Sequence, residues 1–421
     1  MILGAGISGI SAAYHLKLHG NESIIYEKDS DWGGLCGNFN INRFNFDNAI
    51  HLSFTENKYV KKIFSKSCKF IFHKPLAYNY YKGHWLKHPA QNNLYKLNST
   101  EKIKIIKDFV NNKNKNIYIK NYEEWLKANY GNYFSNNFSI PYTKKYWTKE
   151  AKDLSINWIA NRIYRPNIEE LLTGAFEVDT PNTYYAKEMR YPNIGGYKSF
   201  LKNIAQECNI QTNKKAIEID VHSQKIVFND GSFAKYTNLI SSIPLPEYSK
   251  LIKNLPSSIK QTLNKLEYTS VALISIGLNK PNIPKYLWFY IYDEDILASR
   301  CYSPSIKSFS NAPNNCSSLQ FEIYFSKNKP LIYDKNDLIE HIINKSEKMG
   351  IFRKKDIIVQ DYRILEYGNV IYYHGMEKDR KTILNYLNKI NIKTIGRFGE
   401  WKYLWSDQAL LSGKAAAERV F

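Results

Sequence analysis

The chain has 421 residues, 43% of them hydrophobic, so it is too long for one compact core and too apolar to be disordered. Its 59 Lys and Arg exceed its 39 Asp and Glu, and an excess of +20 favours anionic partners. Because the lysines are spread along the chain, without an arginine-rich run or zinc-ligand spacing, we predict a solvated basic surface and no nucleic-acid partner.

The chain opens on a strand–turn–helix–strand pattern. Residues 2–3 begin a strand, Gly4–Gly9 form a glycine turn, and Ile10–His19 have the pattern of a helix. Ser23–Tyr26 is a second apolar strand, and Glu27 closes it. This order is typical of the first unit of a parallel sheet.

The rest of the chain alternates between helical and strand patterns. KIKIIKDFVNN, NYEEWLKANYG and LSINWIANRIY carry apolar residues at helical spacing, which predicts a helical insertion. Strand patterns return at about 187–250, where Asn229-Asp230-Gly231 predicts a hairpin turn. VALISIGL, LWFYIY and SLQFEIYF predict a second β-rich region at about 268–375, and the remaining residues predict a strand, a glycine turn and a closing helix.

The glycine turn has the spacing Gly-x-Gly-x-x-Gly. Gly4 permits the tight turn, Gly6 lets a pyrophosphate approach the backbone, and Gly9 lets the helix pack on the strand. The helix N-terminus then presents its partial positive charge to the phosphates. Glu27 lies 18 residues beyond Gly9, where a carboxylate binds ribose hydroxyls. The motif in this context predicts a dinucleotide site.

A second glycine pair narrows the choice of cofactor. Gly33 and Gly34 follow shortly after the acidic strand end. This arrangement resembles the FAD-binding pattern of the flavoprotein amine oxidase superfamily, and plain NAD dehydrogenases do not usually carry it. The resemblance implies that FAD is bound through the first residues of the chain.

These patterns together predict an α/β fold. We expect a Rossmann-like FAD-binding domain with a helical insertion and an antiparallel β-sheet substrate domain. The predicted FAD-binding segments are 1–85, 186–250 and 376–421, the helical insertion is 86–185, and the substrate domain is 251–375.

The cysteines indicate a reducing compartment. The chain has five, an odd number, and no Cys-x-x-Cys. No signal peptide is expected, and no apolar run approaches the roughly 18 residues that a membrane span needs. We therefore predict a cytoplasmic protein without a transmembrane segment or a metal site, and the sequence leaves open whether it forms a homodimer.

Several later segments resemble one branch of the superfamily, the UDP-galactopyranose mutases, especially their eukaryotic-type form. The similar segments extend over nearly the whole chain and occur in the order of that family. They are FDNAIHLSFTENKYV, YTKKYWTKEAKDLSINWIANRIYRPN, RYPNIGGYKSFLKNIA, LWFYIYDEDILASRCYSPSIKSFSNAPNNCSSLQFE and GRFGEWKYLWSDQALLSG.

The resemblance implies roles for residues around a substrate cleft. His51 matches the histidine of the family's catalytic loop, which passes the flavin ring. Trp158 and Arg162 match its Trp-x-x-x-Arg pattern, while Tyr290 and Arg300 match a substrate-binding tyrosine and a diphosphate-binding arginine. Arginine suits a diphosphate because its charge is permanent and its geometry bidentate. The implied catalytic residues are His51, Arg162 and Arg300, although Trp158 fits a plain core position equally well.

The last segment matches the family's C-terminal flavin signature. The resemblance implies that Arg397, Asp407 and Gln408 bind FAD and that Tyr403 binds substrate. For Arg165, a place in the cleft and a place at the surface both stay open.

Three positions depart from the family pattern. Asn369-Val370 stands where the family has Tyr-Pro, and Tyr372 or Tyr373 is a candidate substitute. Ala49-Ile50 replaces the Gly-Gly before the loop histidine, and Ser299 replaces a tyrosine. All three changes fall near the expected sugar end of the cleft.

The resemblance implies a flavin-dependent nucleotide-sugar mutase that interconverts pyranose and furanose forms of a UDP-sugar for cell-surface polysaccharide synthesis. The FAD would have to be reduced, although no net electrons move. The alternative is an FAD-dependent oxidoreductase of the amine oxidase or protoporphyrinogen oxidase type, which an apolar funnel in place of an arginine-lined cleft would indicate.

Overall fold

Two sheets of different strand direction organise the molecule. The computed structural model describes residues 1–112, 118–159, 162–183 and 186–419. In chain order, the strands are β1 (Ile2–Leu3), β2 (Ile24–Tyr26), β3 (Asn38–Ile41), β4 (Phe44–Asp47), β5 (Phe70–His73), β6 (Ala77–Tyr81), β7 (His84–Lys87), β8 (Met189–Pro192), β9 (Asn209–Gln211), β10 (Ala216–Asp220), β11 (Lys225–Phe228), β12 (Phe233–Lys235), β13 (Leu239–Ser241), β14 (Tyr268–Leu278), β15 (Trp288–Ile291), β16 (Arg300–Tyr302), β17 (Ser317–Phe325), β18 (Ile357–Val370) and β19 (Ile392–Thr394).

The α-helices connect and cover these sheets. In chain order, they are α1 (Ile7–Leu18), α2 (Lys58–Ser67), α3 (Ser99–Asn111), α4 (Tyr122–Tyr130), α5 (Asn132–Phe134), α6 (Ile140–Trp147), α7 (Ile168–Phe176), α8 (Lys202–Gln206), α9 (Tyr248–Leu251), α10 (Ser257–Lys265), α11 (Pro304–Lys307), α12 (Lys335–Lys348), α13 (Met376–Lys389), α14 (Gly396–Gly399) and α15 (Ser406–Glu418).

A five-stranded parallel sheet contains β1 and the glycine turn that follows it, in the order β19-β13-β1-β2-β9. Its apolar residues, such as Ile2, Ile25 and Ile240, are buried, as expected for a parallel sheet covered on both faces. Helices α1 and α15 pack against each other beside it. At their crossing, a Cβ on Gly413 would lie 2.1 Å from the Ser8 carbonyl oxygen, so only glycine allows this approach.

The larger sheet has seven strands in the order β18-β14-β17-β16-β15-β6-β7. Its neighbouring strands run antiparallel, except that β15 and β6 are parallel. Strand β6 and the first two residues of β7 come from the region predicted as the first FAD-binding segment, 1–85, so the large sheet includes strands well before residue 251. The five-part division into domains stays a prediction.

Helices α3 to α7 form the insertion, and their starts follow from sequence. Asn98, Asn121 and Asn167 each accept a backbone N–H from the third residue of the helix that they precede. Apolar side chains between these helices, including Phe109 and Phe138, are buried in a common core. The helices predicted for KIKIIKDFVNN and NYEEWLKANYG are thus confirmed.

Residues 160–161 of LSINWIANRIY lie outside the described residues. Over the rest of this segment the predicted helix is wrong. Leu154 instead forms a β-bridge with Tyr373, and Ser155 donates its N–H to the Tyr372 carbonyl oxygen at 2.8 Å. This pairing with a distant segment replaces the local helical hydrogen bonds. Turns follow, closed by the N–H of Ile159 and of Arg162.

The remaining predicted elements are present. The first helix begins at Ile7 rather than Ile10, the Asn229–Gly231 turn joins β11 and β12, and the three predicted strands of the β-rich region are β14, β15 and β17. Throughout the ranges that the structure describes, no helix is both long enough and apolar enough to cross a membrane.

Candidate active site

The glycine turn at β1 has the geometry that its motif predicts. Gly4 has φ +93°, and a Cβ there would lie 2.3 Å from the Ser242 Oγ. A Cβ on Gly9 would lie 1.9 Å from the Gly4 carbonyl oxygen, so α1 packs on the turn only because residue 9 is glycine. Both glycines therefore have a steric reason to be present.

Gly6 opens α1 and leaves room in front of it. Within the described ranges, no side chain caps this helix and its first turn holds no acidic residue. A Cβ on Gly6 would meet no atom within 4 Å. The uncapped amides and the open space beside Gly6 fit a pyrophosphate, the group that joins the two nucleotides of a dinucleotide cofactor.

The Gly33-Gly34 pair lies against this cradle. Gly33 pairs with Gly6 in an isolated parallel bridge and donates its N–H to the Ala5 carbonyl oxygen at 2.9 Å. A Cβ on Gly34 would lie 3.3 Å from the Gly6 Cα. The second glycine pair thus forms one wall of the same opening.

Glu27 is buried at the end of β2 and holds the turn. Its carboxylate accepts the N–H of Ala5 at 2.6 Å and that of Asp29 at 3.0 Å. A carboxylate has about four acceptor sites, so two remain for the predicted ribose hydroxyls.

Replacing Gly6 with valine should abolish cofactor binding without unfolding the chain. The backbone at Gly6 is extended, with φ −73°, a conformation open to any residue. The valine side chain would fill only the cradle. We expect purified Gly6→Val protein to lose its visible flavin absorbance, while the cofactor-free variant and cofactor-free wild type unfold at nearly the same temperature. A variant that keeps a full flavin spectrum would contradict this.

The C-terminal signature residues occupy different environments. Gln408 is exposed and caps α15 by accepting the Trp405 N–H at 2.9 Å, and Asp407 lies in the first turn of that helix. Arg397 donates to the Asn369 Oδ1 at 2.6 Å and lies over the Tyr403 ring at 4.5 Å. The capping bond gives Gln408 a structural role that its motif did not indicate.

A cavity of about 530 Å³ lies between the helical insertion and the large sheet. The five predicted substrate-binding residues all line it. They are Trp158, Arg162, Tyr290, Arg300 and Tyr403. Arg165, whose position the sequence left open, also lines the cavity. Three arginines therefore line one cavity, whose other walls are mostly aromatic.

Arg162 is held on its aromatic neighbours. It donates to the carbonyl oxygens of Tyr403 at 2.7 Å and Trp158 at 3.1 Å, and it lies 4.8–4.9 Å from the rings of Tyr403 and Trp405. Its Nε is buried and has no partner among the described residues. An arginine with an unused donor beside a cavity suits an anionic ligand.

Arg300 is anchored from behind by a buried carboxylate. Its Nε donates to Glu322, and its Nη2 donates to the Tyr324 hydroxyl at 3.0 Å. The Tyr324 hydroxyl in turn donates to Glu322 at 2.7 Å. The Arg300 guanidinium also lies over the Tyr146 ring at 5.4 Å. These contacts orient the arginine, and no hydrogen bond to another of the described residues uses the donors on its Nη1.

Sequence reasoning missed Tyr142, Tyr146 and Glu322. The two tyrosines project from one face of α6 into the cavity, and the Tyr146 hydroxyl lies 3.1 Å from that of Tyr403. Burial raises the pKa of Tyr146 far above its ordinary value, so its hydroxyl stays protonated. Their spacing of four residues in PYTKKYW was the available signal.

The loop before His51 is hydrogen-bonded to Glu322, the carboxylate that anchors Arg300. The Ile50 N–H donates to the Glu322 Oε1 at 2.9 Å, and the His51 Nδ1 lies 3.2 Å from the Ala49 carbonyl oxygen. The His51 ring packs 5.1 Å from that of Tyr197. His51 does not line the cavity that holds the five predicted substrate-binding residues.

Ala49 keeps a backbone conformation that suits glycine. Its φ is +70°, in the left-handed region, where an alanine costs about 1 kcal/mol. We expect Ala49→Gly to raise the free energy of unfolding by about 0.5–1 kcal/mol, since relief of strain exceeds the added entropy of the unfolded chain. Ala234→Gly, in β12, should lower it instead, and urea unfolding of both variants provides the check.

His51 should make the fold sensitive to acid. Burial lowers the pKa of His51 to about 4, whereas an unfolded histidine has a pKa near 6.5. Between these values the unfolded chain binds a proton that the folded chain does not, so stability is full above pH ~6.5 and falls toward pH ~4. Urea unfolding should show a smaller loss over this range for His51→Asn than for wild type or for the exposed-site control His222→Asn.

A buried ion pair lies beneath the same loop. The Lys307 Nζ is 2.6 Å from the Asp47 Oδ2, and neither side chain is exposed. Asp47 also accepts the Tyr191 hydroxyl at 2.8 Å and the Tyr197 N–H at 3.0 Å. The pair thus joins β4, α11 and the segment after β8 around the loop that carries His51.

The residues at the departures from the family pattern lie behind the cavity wall. Asn369 is buried, with its Oδ1 bound to Arg397. Tyr372 accepts the Tyr403 N–H at 2.8 Å, and Tyr373 donates to Asp379 at 2.7 Å. Neither tyrosine lines the cavity, and Ser299 is fully buried. The two candidate substitutes for the family's Tyr-Pro tyrosine therefore do not reach it.

Comparison with known proteins identifies the fold of the chain. A family model described as an NAD(P)-binding Rossmann-like domain matches residues 2–67. A crystal structure of reduced UDP-galactopyranose mutase is 23% identical, with a TM-score of 0.93, over 100% of this chain and 94% of that one.

Oxidase structures are similar to a lower degree. A putative protoporphyrinogen oxidase from Exiguobacterium sp. 255-15 is 14% identical (TM-score 0.75, covering 100% of this chain and 97% of that one). Putrescine oxidase bound to putrescine is 12% identical (TM-score 0.67, covering 100% and 98%). The chain therefore has the α/β fold seen in the reduced UDP-galactopyranose mutase, with its Rossmann-like half and its sheet domain.

Proposed function

We propose that this chain is a flavin-dependent nucleotide-sugar mutase, which interconverts the pyranose and furanose forms of a UDP-sugar and works with reduced FAD. The observation that supports this proposal most directly is the cavity, which Arg162, Arg165 and Arg300 line together with several tyrosines. A nucleotide sugar brings two phosphates that need fixed positive charge, and arginine forks supply it. A cationic amine substrate gives no reason for three arginines in one cavity.

FAD would be held by the glycine cradle, by Glu27 and by the C-terminal signature residues. The fit rests on the open space at Gly6 and on the uncapped start of α1. When bound and reduced, the flavin would supply the nucleophile toward the anomeric carbon of the sugar.

The side chains of the chain would bind and release the nucleotide. Arg162 and Arg300 would hold the diphosphate, and the negative charge that grows on it as the sugar detaches makes these contacts stronger at that moment. Tyr290 and Tyr403 would donate to phosphate or sugar oxygens. The hydroxyl of Tyr146, kept protonated by burial, would orient that of Tyr403.

The alternative is an FAD-dependent oxidoreductase of the amine oxidase or protoporphyrinogen oxidase type. Two observations favour it: the similarity to oxidase structures and the loss of the family's Tyr-Pro tyrosine from the cavity. On this function the arginines would bind carboxylates of the substrate.

For the mutase function, the cellular location that we infer is the cytoplasm, and the product would be used for cell-surface polysaccharide.

The deciding experiment is an anaerobic turnover assay. Purified protein, with its visible spectrum recorded, is reduced with dithionite and given UDP-galactopyranose, UDP-N-acetylgalactosamine and other UDP-sugars in turn. Products are separated by anion-exchange chromatography. We expect a furanose product with reduced protein and none with oxidised protein.

Two controls make the result specific. Gly6→Val protein, without cofactor, should give no product, and the surface variant Arg353→Lys should behave as wild type. A yellow protein that neither converts any UDP-sugar nor changes its spectrum with one would overturn the mutase proposal. Amines and other oxidisable substrates would then be tested for flavin reduction.

A further inference from the structure

Strand β18 forms a long, unpaired edge of the large sheet. It has 14 residues, pairs with β14 on one side, and ends the strand order on the other. Within the part of the chain that the structure describes, no strand pairs with its outer edge. Alternate residues between Val359 and Leu365 therefore direct their amide and carbonyl groups outward, which is the arrangement that accepts another strand.

The side chains along this edge are partly apolar and well exposed. Ile358 is 49% exposed and Ile364 is 52% exposed. Ile364 shares a face with Tyr362, which packs against the cluster that contains the α12 side chains, since alternate residues of a strand share a face. Ile358 lies at the register shift between β18 and β14. The opposite face carries Arg363, which packs 3.5 Å over the Phe39 ring. Water thus contacts isoleucines that a pairing strand would cover.

The charges along β18 are complementary to those of a second copy of β18 that runs antiparallel to it. In an antiparallel pair of copies centred on Tyr362, Asp361 of each copy lies directly across from Arg363 of the other. Opposite charges across a strand pair are favourable, as is an aromatic residue facing its own copy.

We propose that the β18 edge binds β18 of a second copy, so that two large sheets join into one across a two-fold axis. An interface of this kind uses the same patch on both chains, which is what a closed dimer requires. It lies on the sheet margin and uses none of the residues assigned to the cavity or the cofactor cradle. The proposal therefore stands independently of the proposed function.

The test is the mass of the full chain in solution, measured by light scattering during gel filtration. Because the +20 net charge opposes association, the buffer should hold about 0.15 M salt. We expect wild type at micromolar concentration to show twice the chain mass. Arg363→Asp places aspartates opposite each other and should weaken the dimer at least tenfold.

Two further variants and one control variant decide between this edge and any other surface. The double variant Asp361→Arg/Arg363→Asp restores opposite charges across the pair and should recover the dimer. Ile364→Lys should dissociate it, while Ile217→Lys, at a 49% exposed isoleucine on the edge strand β10, should not. A monomeric wild type, or a dimer that survives both Arg363→Asp and Ile364→Lys, would overturn the proposal.

Discussion

Replacing Arg300 with lysine should lower kcat/KM for the nucleotide sugar by about 100-fold, which is the usual effect of removing one preorganised donor from a site of developing charge. The Arg300 fork serves two partners at once. Its Nε and Nη2 are used by Glu322 and Tyr324, and the donors on Nη1 remain for a phosphate. A lysine has a single ammonium, so it cannot hold the buried carboxylate and reach the substrate together.

The measurement is steady-state turnover of the UDP-sugar that the panel identifies, together with a thermal unfolding curve. Because lysine keeps a charge beside Glu322, we expect a modest change in unfolding temperature and a full flavin spectrum. Arg353→Lys, at an exposed position before β18, is the matched control and should leave turnover unchanged. Turnover by Arg300→Lys within twofold of wild type would remove Arg300 from the substrate site.

Replacing Lys307 with methionine should lower the free energy of unfolding by about 3–5 kcal/mol, because it leaves a buried carboxylate without its cation. Both members of the Lys307–Asp47 pair are fully buried. The control is Lys17→Met, which removes the lysine of an exposed pair with Glu207. An exposed pair contributes at most about 1 kcal/mol.

The double variant Lys307→Met/Asp47→Asn separates a charge effect from a packing effect. It removes the uncompensated charge, so we expect it to recover part of the stability lost in the single variant. Denaturant unfolding of the four proteins gives the comparison. Equal losses for Lys307→Met and Lys17→Met would show that the buried pair does not support the fold.

The part of the fold that could be predicted from sequence is the part fixed by local pattern. The glycine turn, the acidic residue after β2 and the alternating strands are each encoded within a few residues. Substrate-site candidates such as Arg162 and Arg300 came from resemblance to a family, and the structure brings them to one cavity. Their roles are still to be tested by experiment.

What could not be predicted depends on long-range pairing. Nothing near Glu322 in the sequence indicates that its carboxylate accepts from Arg300 and from the loop at Ile50 at the same time. The apolar spacing of LSINWIANRIY favoured a helix, but the bridge between Leu154 and Tyr373 prevents it. In each case a contact formed across the fold outweighs a local preference.

The close crossing of α1 and α15 at Gly413 has a consequence for how the protein is made. Strand β1 is flanked by β13 and, beyond it, by β19, so the sheet around the first residues waits for segments nearly 400 residues downstream. Such pairings carry a large loop-closure entropy and form slowly. On the ribosome, the helical insertion and its local contacts can form first, whereas the cofactor cradle is completed after synthesis has passed the closing helix. Loading of a dinucleotide cofactor would therefore be a late step, and until then the side chains of α1 that the finished fold buries would stay exposed to solvent.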